Sequence, residues 1–146
     1  MAAERVLEGY VQGRQLSVLV VEGNPSARER VRQALGDGYS LRFVYGAREA
    51  LDAVRREAPD LVVSEVDLPE GDGLHLCEQV RNLPGVSQLP IMLLTSRASI
   101  TDKVAGFQAG ADDYVVKPLD LRLFKARIRL LFRIKGLERP RSDIGA

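Results

Sequence analysis

Short apolar segments alternate along this chain with longer segments of helical periodicity, and this alternation restricts its fold more than any other feature. Four near-continuous runs rich in Val, Leu and Ile lie at residues 16–21, 61–63, 91–94 and 114–116, and a weaker fifth candidate covers residues 40–45. Such runs are typical of strands that are buried on both faces of a sheet. The sequence therefore predicts five short strands.

The segments between these strands carry apolar residues at helical spacing, for example over residues 27–35 and 47–58. Asn24 followed by Pro25 predicts the start of the first helix, since Asn is a favourable N-cap and Pro is tolerated in the first turn. Three further helices are expected to begin near Gly73, Ser99 and Asp120. Five successive βα units predict a parallel sheet with helices on both faces, joined by right-handed crossovers.

The 146 residues suffice for one domain of ordinary size, which we expect at residues 15–136. Residues 1–14 are expected to form a loose N-terminal extension with a short helix over residues 2–10. Residues 137–146 are expected to form a C-terminal tail or the start of a linker.

Composition excludes several classes of protein. With 45% hydrophobic and 28% charged residues the chain matches an ordinary globular domain.

No apolar run approaches the 18 residues or so of a membrane span, and residues 1–13 do not have the apolar stretch of a secretory signal. We therefore expect a cytoplasmic protein without membrane contact. The single cysteine, Cys77, and the single histidine, His75, exclude an internal disulfide and a Cys/His zinc site. Any metal would need carboxylate ligands.

Polar side chains follow the predicted strands at the points where they end. Glu22 follows the first strand, Glu65 and Asp67 the third, Thr95 the fourth and Lys117 the fifth. Ligands of parallel α/β sheets gather at the carboxyl ends of the strands. The sequence therefore predicts that these side chains converge on one functional site.

Four motifs carry a family resemblance: VLVVEGNP at residues 18–25, PDLVVSEVDLPEGDGL at 59–74, PIMLLTS at 90–96 and GADDYVVKPLD at 110–120. With them the chain resembles the receiver (CheY-like) domain of two-component response regulators over residues 16–135. The resemblance implies a flavodoxin-like (βα)5 sheet of order 2-1-3-4-5. It also implies an aspartate that is phosphorylated with the help of Mg²⁺, a hydroxyl and a lysine that grip the phosphoryl group, and an aromatic residue that reports on it.

The resemblance is incomplete where the metal and the phosphoryl group would bind. Glu65 stands at the position of the acceptor aspartate, and Gly23 replaces the second acid after the first strand. An extra methylene adds about 1.5 Å of reach, and a displacement of that size can cost about 100-fold in rate. We therefore expect impaired phosphorylation.

The resemblance assigns the remaining site residues. The gripping hydroxyl and lysine match Thr95 and Lys117, and the switch aromatic matches Tyr114. Glu22 and Glu65 remain as hard metal ligands, and Asp67 is expected to replace part of the lost acid pair, so weak Mg²⁺ binding is predicted.

Two interpretations of Glu65 stay open. Its carboxylate either extends towards Lys117 and Thr95 and mimics the activated state, or it only keeps the site folded. The first predicted function is an atypical receiver that regulates by protein contact in two-component signalling, with a histidine kinase or an output domain as partner. The alternative is a functional phosphoacceptor controlled by a histidine kinase, the chain being the front of a longer regulator. An enzyme is not expected, because no phosphate-cradling glycine loop or nucleophilic triad is present.

The fifth predicted helix carries two apolar stripes, so one of them faces outward. By resemblance to winged-helix response regulators, this suggests a homodimer through the fourth helix, the fifth strand and the fifth helix, although Leu123 replaces an expected partner acid of Lys103. The predicted interface residues are Lys103, Asp112, Asp113, Leu123, Arg127, Arg129, Leu130 and Ile134. Residues 121–139 have a net charge of +6, which suits either a solvated helix or an acidic partner, and no nucleic-acid contact is expected.

Overall fold

The computed structural model describes residues 9–11 and 13–136. The strands are β1 (Tyr10–Val11), β2 (Arg14–Gln15), β3 (Ser17–Val21), β4 (Ser40–Val44), β5 (Leu61–Ser64), β6 (Ile91–Thr95) and β7 (Asp113–Val116). The helices are α1 (Pro25–Leu35), α2 (Ala47–Arg56), α3 (Gly73–Arg81), α4 (Ile100–Ala109) and α5 (Leu121–Ile134). Over the described residues, none of these helices has the length and apolarity needed to cross a membrane.

Strands β3 to β7 form one parallel sheet of order β4-β3-β5-β6-β7. Counted along the five predicted strands this is the order 2-1-3-4-5, so the flavodoxin-like (CheY-like) fold is confirmed. The weaker candidate strand near residues 40–45 is β4, which lies at one edge of the sheet. The carboxyl ends of all five strands consequently share one rim.

Two hydrophobic cores cover the sheet, one on each face. Leu19 and Val21 of β3 point into the core beneath α2, α3 and α4, and Val18 and Val20 point into the core beneath α1 and α5. This alternation follows from the period of two along a strand. Burial on both faces is the reason that the strands are continuous apolar runs.

Polar side chains fix the predicted starts of the helices. The Asn24 side chain accepts a hydrogen bond from the backbone N–H of Ala27 at 2.9 Å, and Asp120 caps α5 in the same way. Asp72 and Ser99 cap α3 and α4. These caps satisfy N–H groups that have no partner within a helix and place the first turns beside the carboxyl rim.

Of the helix predicted over residues 2–10, the structure describes only Gly9 and Tyr10, and these two residues are not helical. Tyr10 lies in β1, which pairs antiparallel with β2, and residues 2–8 lie outside the described part of the chain. Gly9 and Gly13 have positive φ angles of 82° and 75°, which favour turns over a continuous helix. Arg14 ties the hairpin to Asp60 at 2.8 Å, so this part of the extension is attached to the domain. The predicted tail at residues 137–146 also lies outside the described residues.

Candidate functional site

Four of the side chains predicted to converge meet at the carboxyl rim of the sheet. Glu22 follows β3, Glu65 follows β5, Thr95 ends β6 and Lys117 follows β7. Glu22, Glu65 and Thr95 are only 7%, 8% and 0% exposed. Two carboxylates are thus withdrawn from water at one place, which requires compensating charge.

Lys117 supplies that charge. Its Nζ lies 2.9 Å from Oε1 of Glu22 and 2.9 Å from Oε1 of Glu65. Burial alone would lower the pKa of Lys117, but the hydrogen bonds to both glutamates outweigh burial and raise it. The ammonium group therefore stays charged and bridges the two acids.

Backbone N–H groups hold the other carboxylate oxygens. Oε2 of Glu65 accepts hydrogen bonds from the N–H of Val66 at 2.6 Å and of Asp67 at 3.1 Å. Oε2 of Glu22 accepts one from the N–H of Asn24 at 3.0 Å. Each glutamate is thus held by Lys117 on one oxygen and by its own loop on the other.

Thr95 and Glu65 are not joined by a hydrogen bond in the described structure. Oγ1 of Thr95 instead accepts a hydrogen bond from the N–H of Arg97 at 3.4 Å. The carboxylate of Glu65 reaches Lys117, as the first interpretation of this residue expected, but it does not bind Thr95.

Tyr114 is buried between the loop after β6 and helix α4. Its hydroxyl donates a hydrogen bond to the backbone carbonyl of Arg97 at 2.8 Å, and its ring centroid lies 6.4 Å from that of Phe107. A Cβ atom on Gly106 would come within 2.7 Å of the Tyr114 ring, so this glycine makes room for it. Burial raises the pKa of Tyr114, which keeps its hydroxyl protonated as a donor.

The side chain of Asp67 binds Arg97. The contacts are Nε to Oδ2 at 2.8 Å and Nη2 to Oδ1 at 2.7 Å. The hydrogen bonds from Arg97 lower the pKa of Asp67. Sequence analysis did not single out Arg97, and the only signal for it is its place two residues after Thr95 in a strand-end loop.

The predicted magnesium ligands Glu22, Glu65 and Asp67 are not assembled as one set. Among the described residues no group of three Asp, Glu, His or Cys side chains is arranged to hold a metal ion. Mg²⁺ requires near-octahedral oxygen coordination. Glu22 and Glu65 are bound to Lys117, and Gly23 has no side chain that could serve as a metal ligand. The residues present therefore do not fit this ion.

The outward stripe of α5 is exposed, as its periodicity predicted. Leu123, Leu130 and Ile134 are 54%, 44% and 67% exposed. Beside them, Nε of Arg127 lies 3.6 Å from Oδ2 of Asp113 in the same chain. Three exposed side chains of α4 that sequence analysis missed are also apolar: Ile100, Val104 and Phe107.

The other predicted interface residues differ in their surroundings. Lys103 and Arg129 lie on the exposed surface. Asp112 instead binds groups of its own chain, with Arg81 at 2.9 Å and Lys135 at 3.4 Å. Its carboxylate also accepts a hydrogen bond from the N–H of Ile91 at 2.9 Å. Asp112 therefore fixes the loop before β7.

Comparison with known proteins identifies relatives of the whole domain. Residues 18–129 match the family model of the response regulator receiver domain. A curated relative, response regulator MprA of Mycolicibacterium vanbaalenii, is 44% identical over 117 residues, which cover 80% of this chain and 50% of the relative. The chain spans about half the length of the curated relatives it matches.

Solved structures share the architecture. A two-component response regulator from Clostridium difficile superposes with a TM-score of 0.77 at 28% identity, covering 84% of this chain and 99% of the other. The chemotaxis response regulator CheY4 of Vibrio cholerae gives a TM-score of 0.75 at 28% identity, covering 80% and 98%. Both comparisons agree with the strand order and helix placement described above.

Proposed function

This chain belongs to the response regulator receiver domain family of two-component signalling, and from that premise we propose that it is an atypical receiver that regulates by protein contact with little or no phosphorylation. The observation that carries the proposal is the bridge from Lys117 to Glu22 and Glu65, each at 2.9 Å. Glu65, which stands at the phosphoacceptor position, is one of the two carboxylates in this bridge.

Phosphoryl transfer needs an acceptor oxygen in line with the donor phosphate and neutralisation of the developing charge. Neither oxygen of Glu65 is free, because Oε1 binds Lys117 and Oε2 accepts two backbone hydrogen bonds. A donor would have to break part of this network before its phosphate could approach. Gly23 stands where the second acid is expected, so a charge-neutralising metal ion also has one ligand fewer, which further disfavours phosphoryl transfer.

The network also supports the interpretation that Glu65 replaces the phosphoryl charge. A negative group lies permanently against Lys117, and Tyr114 is buried with its hydroxyl bound to the Arg97 carbonyl. Thr95 takes no part in binding Glu65, so only the lysine half of the gripping pair is engaged. We propose that this arrangement holds the domain in one signalling state.

The face formed by α4, β7 and α5 is the proposed contact surface. It carries the exposed apolar side chains of both helices and the Asp113–Arg127 pair. Apolar side chains at the centre of such a surface supply affinity, and charge pairs set the register. The proposed partners are a second copy of the chain, a histidine kinase or an output domain, and the proposed place of action is the cytoplasm.

Treatment with a small-molecule phosphodonor and Mg²⁺, followed by intact-mass spectrometry, tests the proposal. We expect no stable phosphoryl adduct on the wild type. Glu65→Asp is the matched variant, since it shortens the side chain by one methylene and keeps the charge. A stoichiometric adduct on wild-type Glu65 would overturn the proposal in favour of a functional phosphoacceptor controlled by a histidine kinase.

A further inference from the structure

Arg28, near the start of α1, reaches back to the end of β3. Its Nε donates a hydrogen bond to the backbone carbonyl of Glu22 at 2.6 Å. Hydrogen bonds from ionised donors are shorter and stronger than those between neutral groups. The end of β3 is therefore tied to α1 by a charged side chain that sequence analysis did not single out.

Two aromatic rings hold the guanidinium group of Arg28. Its central carbon lies 4.2 Å from the ring centroid of Tyr45 and 5.6 Å from that of Phe43. Nη2 of Arg28 is buried and has no hydrogen-bond partner among the described residues. A buried charged donor is costly unless other contacts compensate, and the faces of aromatic rings attract a cation. The two rings therefore fix the guanidinium with Nε directed at the Glu22 carbonyl.

With this contact, every polar group of Glu22 has a partner. Its N–H donates a hydrogen bond to the carbonyl of Val44 at 3.0 Å, and its own carbonyl accepts the one from Arg28. Its carboxylate binds Lys117 through Oε1 and the N–H of Asn24 through Oε2. Because that N–H follows Glu22 closely along the chain, rotation of the backbone after Glu22 would carry it away from the carboxylate.

We propose that Arg28 is a positioning residue of the candidate site: by fixing the backbone at the end of β3, it directs the carboxylate of Glu22 at Lys117. The proposal rests on the proposed function, because it concerns the bridge that carries that function. Arg28 acts through Glu22, since no hydrogen bond or ion pair joins its side chain to Lys117 or Glu65 in the described structure.

The exchange of the Lys117 ammonium hydrogens with water, followed by ¹⁵N NMR, reports on the bridge directly, because hydrogen-bonded groups exchange only when they open. Arg28→Met removes the contact to Glu22 and keeps a long unbranched side chain. Arg32→Met is the matched control. It also removes one positive charge from α1 and a cation that stacks on the Phe43 ring, at 4.6 Å, but Arg32 makes no hydrogen bond to Glu22 in the described structure.

We expect Arg28→Met to accelerate this exchange about fivefold or more and Arg32→Met to leave it within about twofold of the wild-type rate. Arg28→Lys keeps the charge but not the planar group that stacks on Tyr45, so it should behave like Arg28→Met. Unchanged exchange in Arg28→Met would overturn the proposal. Equal acceleration in Arg28→Met and Arg32→Met, or a wild-type rate in Arg28→Lys, would also overturn it, because either result would assign the effect to charge alone.

A second pair of variants leaves Arg28 in place and remains informative if its replacement prevents folding. Tyr45→Leu removes the ring that holds the guanidinium and Tyr45→Phe keeps it, and both change a side chain that is 56% exposed. We expect faster Lys117 exchange in Tyr45→Leu only, and unchanged exchange in both would overturn the proposal. No phosphodonor or partner is present in these measurements. Their failure would leave the contact function standing, whereas a phosphoryl adduct on wild-type Glu65 would refute that function and leave the role of Arg28 intact.

Discussion

The guanidinium of Arg97 holds the carboxylate of Asp67 in a two-pronged ion pair that joins the loop after β5 to the loop after β6. The backbone carbonyl of Arg97 accepts a hydrogen bond from the hydroxyl of Tyr114. Two loops and the buried aromatic ring are therefore connected through one residue. Because parallel bonds between a guanidinium and a carboxylate fix direction as well as distance, the pair orients the loop that Tyr114 contacts.

Arg97→Ala should make the Tyr114 ring more mobile, although the backbone carbonyl of residue 97 remains as its hydrogen-bond acceptor. We expect the resonance of a fluorinated Tyr114 to broaden through exchange between buried and open positions. The loss of unfolding free energy should be small, since both side chains of the pair are about half exposed. Arg56→Ala, at an exposed position on α2, is the control. An unchanged Tyr114 resonance in Arg97→Ala would show that the pair does not hold the ring.

The sequence carried enough information to predict which strand ends meet. Glu22, Glu65, Thr95 and Lys117 each follow or end a buried apolar run, and parallel strands bring such positions to one rim. The contact between Glu65 and Lys117 belonged to one of the two interpretations that the sequence left open, and a buried carboxylate needs a cation.

Contacts between loops could not be predicted in the same way. Asp67 was expected near metal and instead binds Arg97, since its partner depends on how two loops 30 residues apart approach each other. Periodicity and spacing describe helices and strands, but they do not fix the path of a loop.

Removal of the bridging cation should destabilise the domain. Lys117→Met leaves Glu22 and Glu65 buried without a counter-charge, and we expect the free energy of unfolding to fall by about 3 kcal/mol at neutral pH. Adding Glu22→Gln should recover part of the loss. Chemical denaturation measures both, with Lys103→Met as an exposed control.

The pH dependence of this contribution has a definite sign. The pKa of Lys117 is raised in the folded state. Its stabilising effect is therefore complete below the unfolded pKa of about 10.4 and is lost only as the pH rises through the folded value. Chemical denaturation at several pH values measures the difference in unfolding free energy between wild type and Lys117→Met. If this difference disappeared between neutral pH and pH values near 9, the result would contradict the bridge.

The contribution of Asp60 to the stability of the N-terminal hairpin should depend on pH. Burial alone would raise the pKa of Asp60, but hydrogen bonds from Arg14 and Ser17 outweigh burial and lower it. Because the folded pKa is depressed, the stabilisation is present at neutral pH and is lost as the pH falls below about 4. Asp60→Asn should cost about 1 to 2 kcal/mol near neutral pH and progressively less in acid. Urea denaturation across this range measures the difference, and a cost independent of pH would refute the role of the charge.

The outward stripe of α5 gives the last prediction. Leu130 lies between Leu123 and Ile134 on the exposed face, so a charge placed there would enter the centre of any contact made by this stripe. The intrachain pair of Asp113 and Arg127 lies beside it, and a two-fold partner could exchange that pair reciprocally. We expect a wild-type dimer in sedimentation equilibrium at high protein concentration, or a bound protein partner, and we expect Leu130→Glu to abolish either one.

The same substitution should leave the fold intact, with a change in unfolding free energy within about 0.5 kcal/mol, because Leu130 lies on the exposed surface and outside the two cores. Lys125→Gln makes the same change in net charge at an exposed position five residues from Leu130, which lies on another side of α5, and is expected to leave association unchanged. A wild type that stays monomeric at high concentration and loses no partner through Leu130→Glu would show that the stripe is only an exposed helix face. Equal effects of the two substitutions would assign the loss of association to net charge, since only a contact centred on Leu130 distinguishes them.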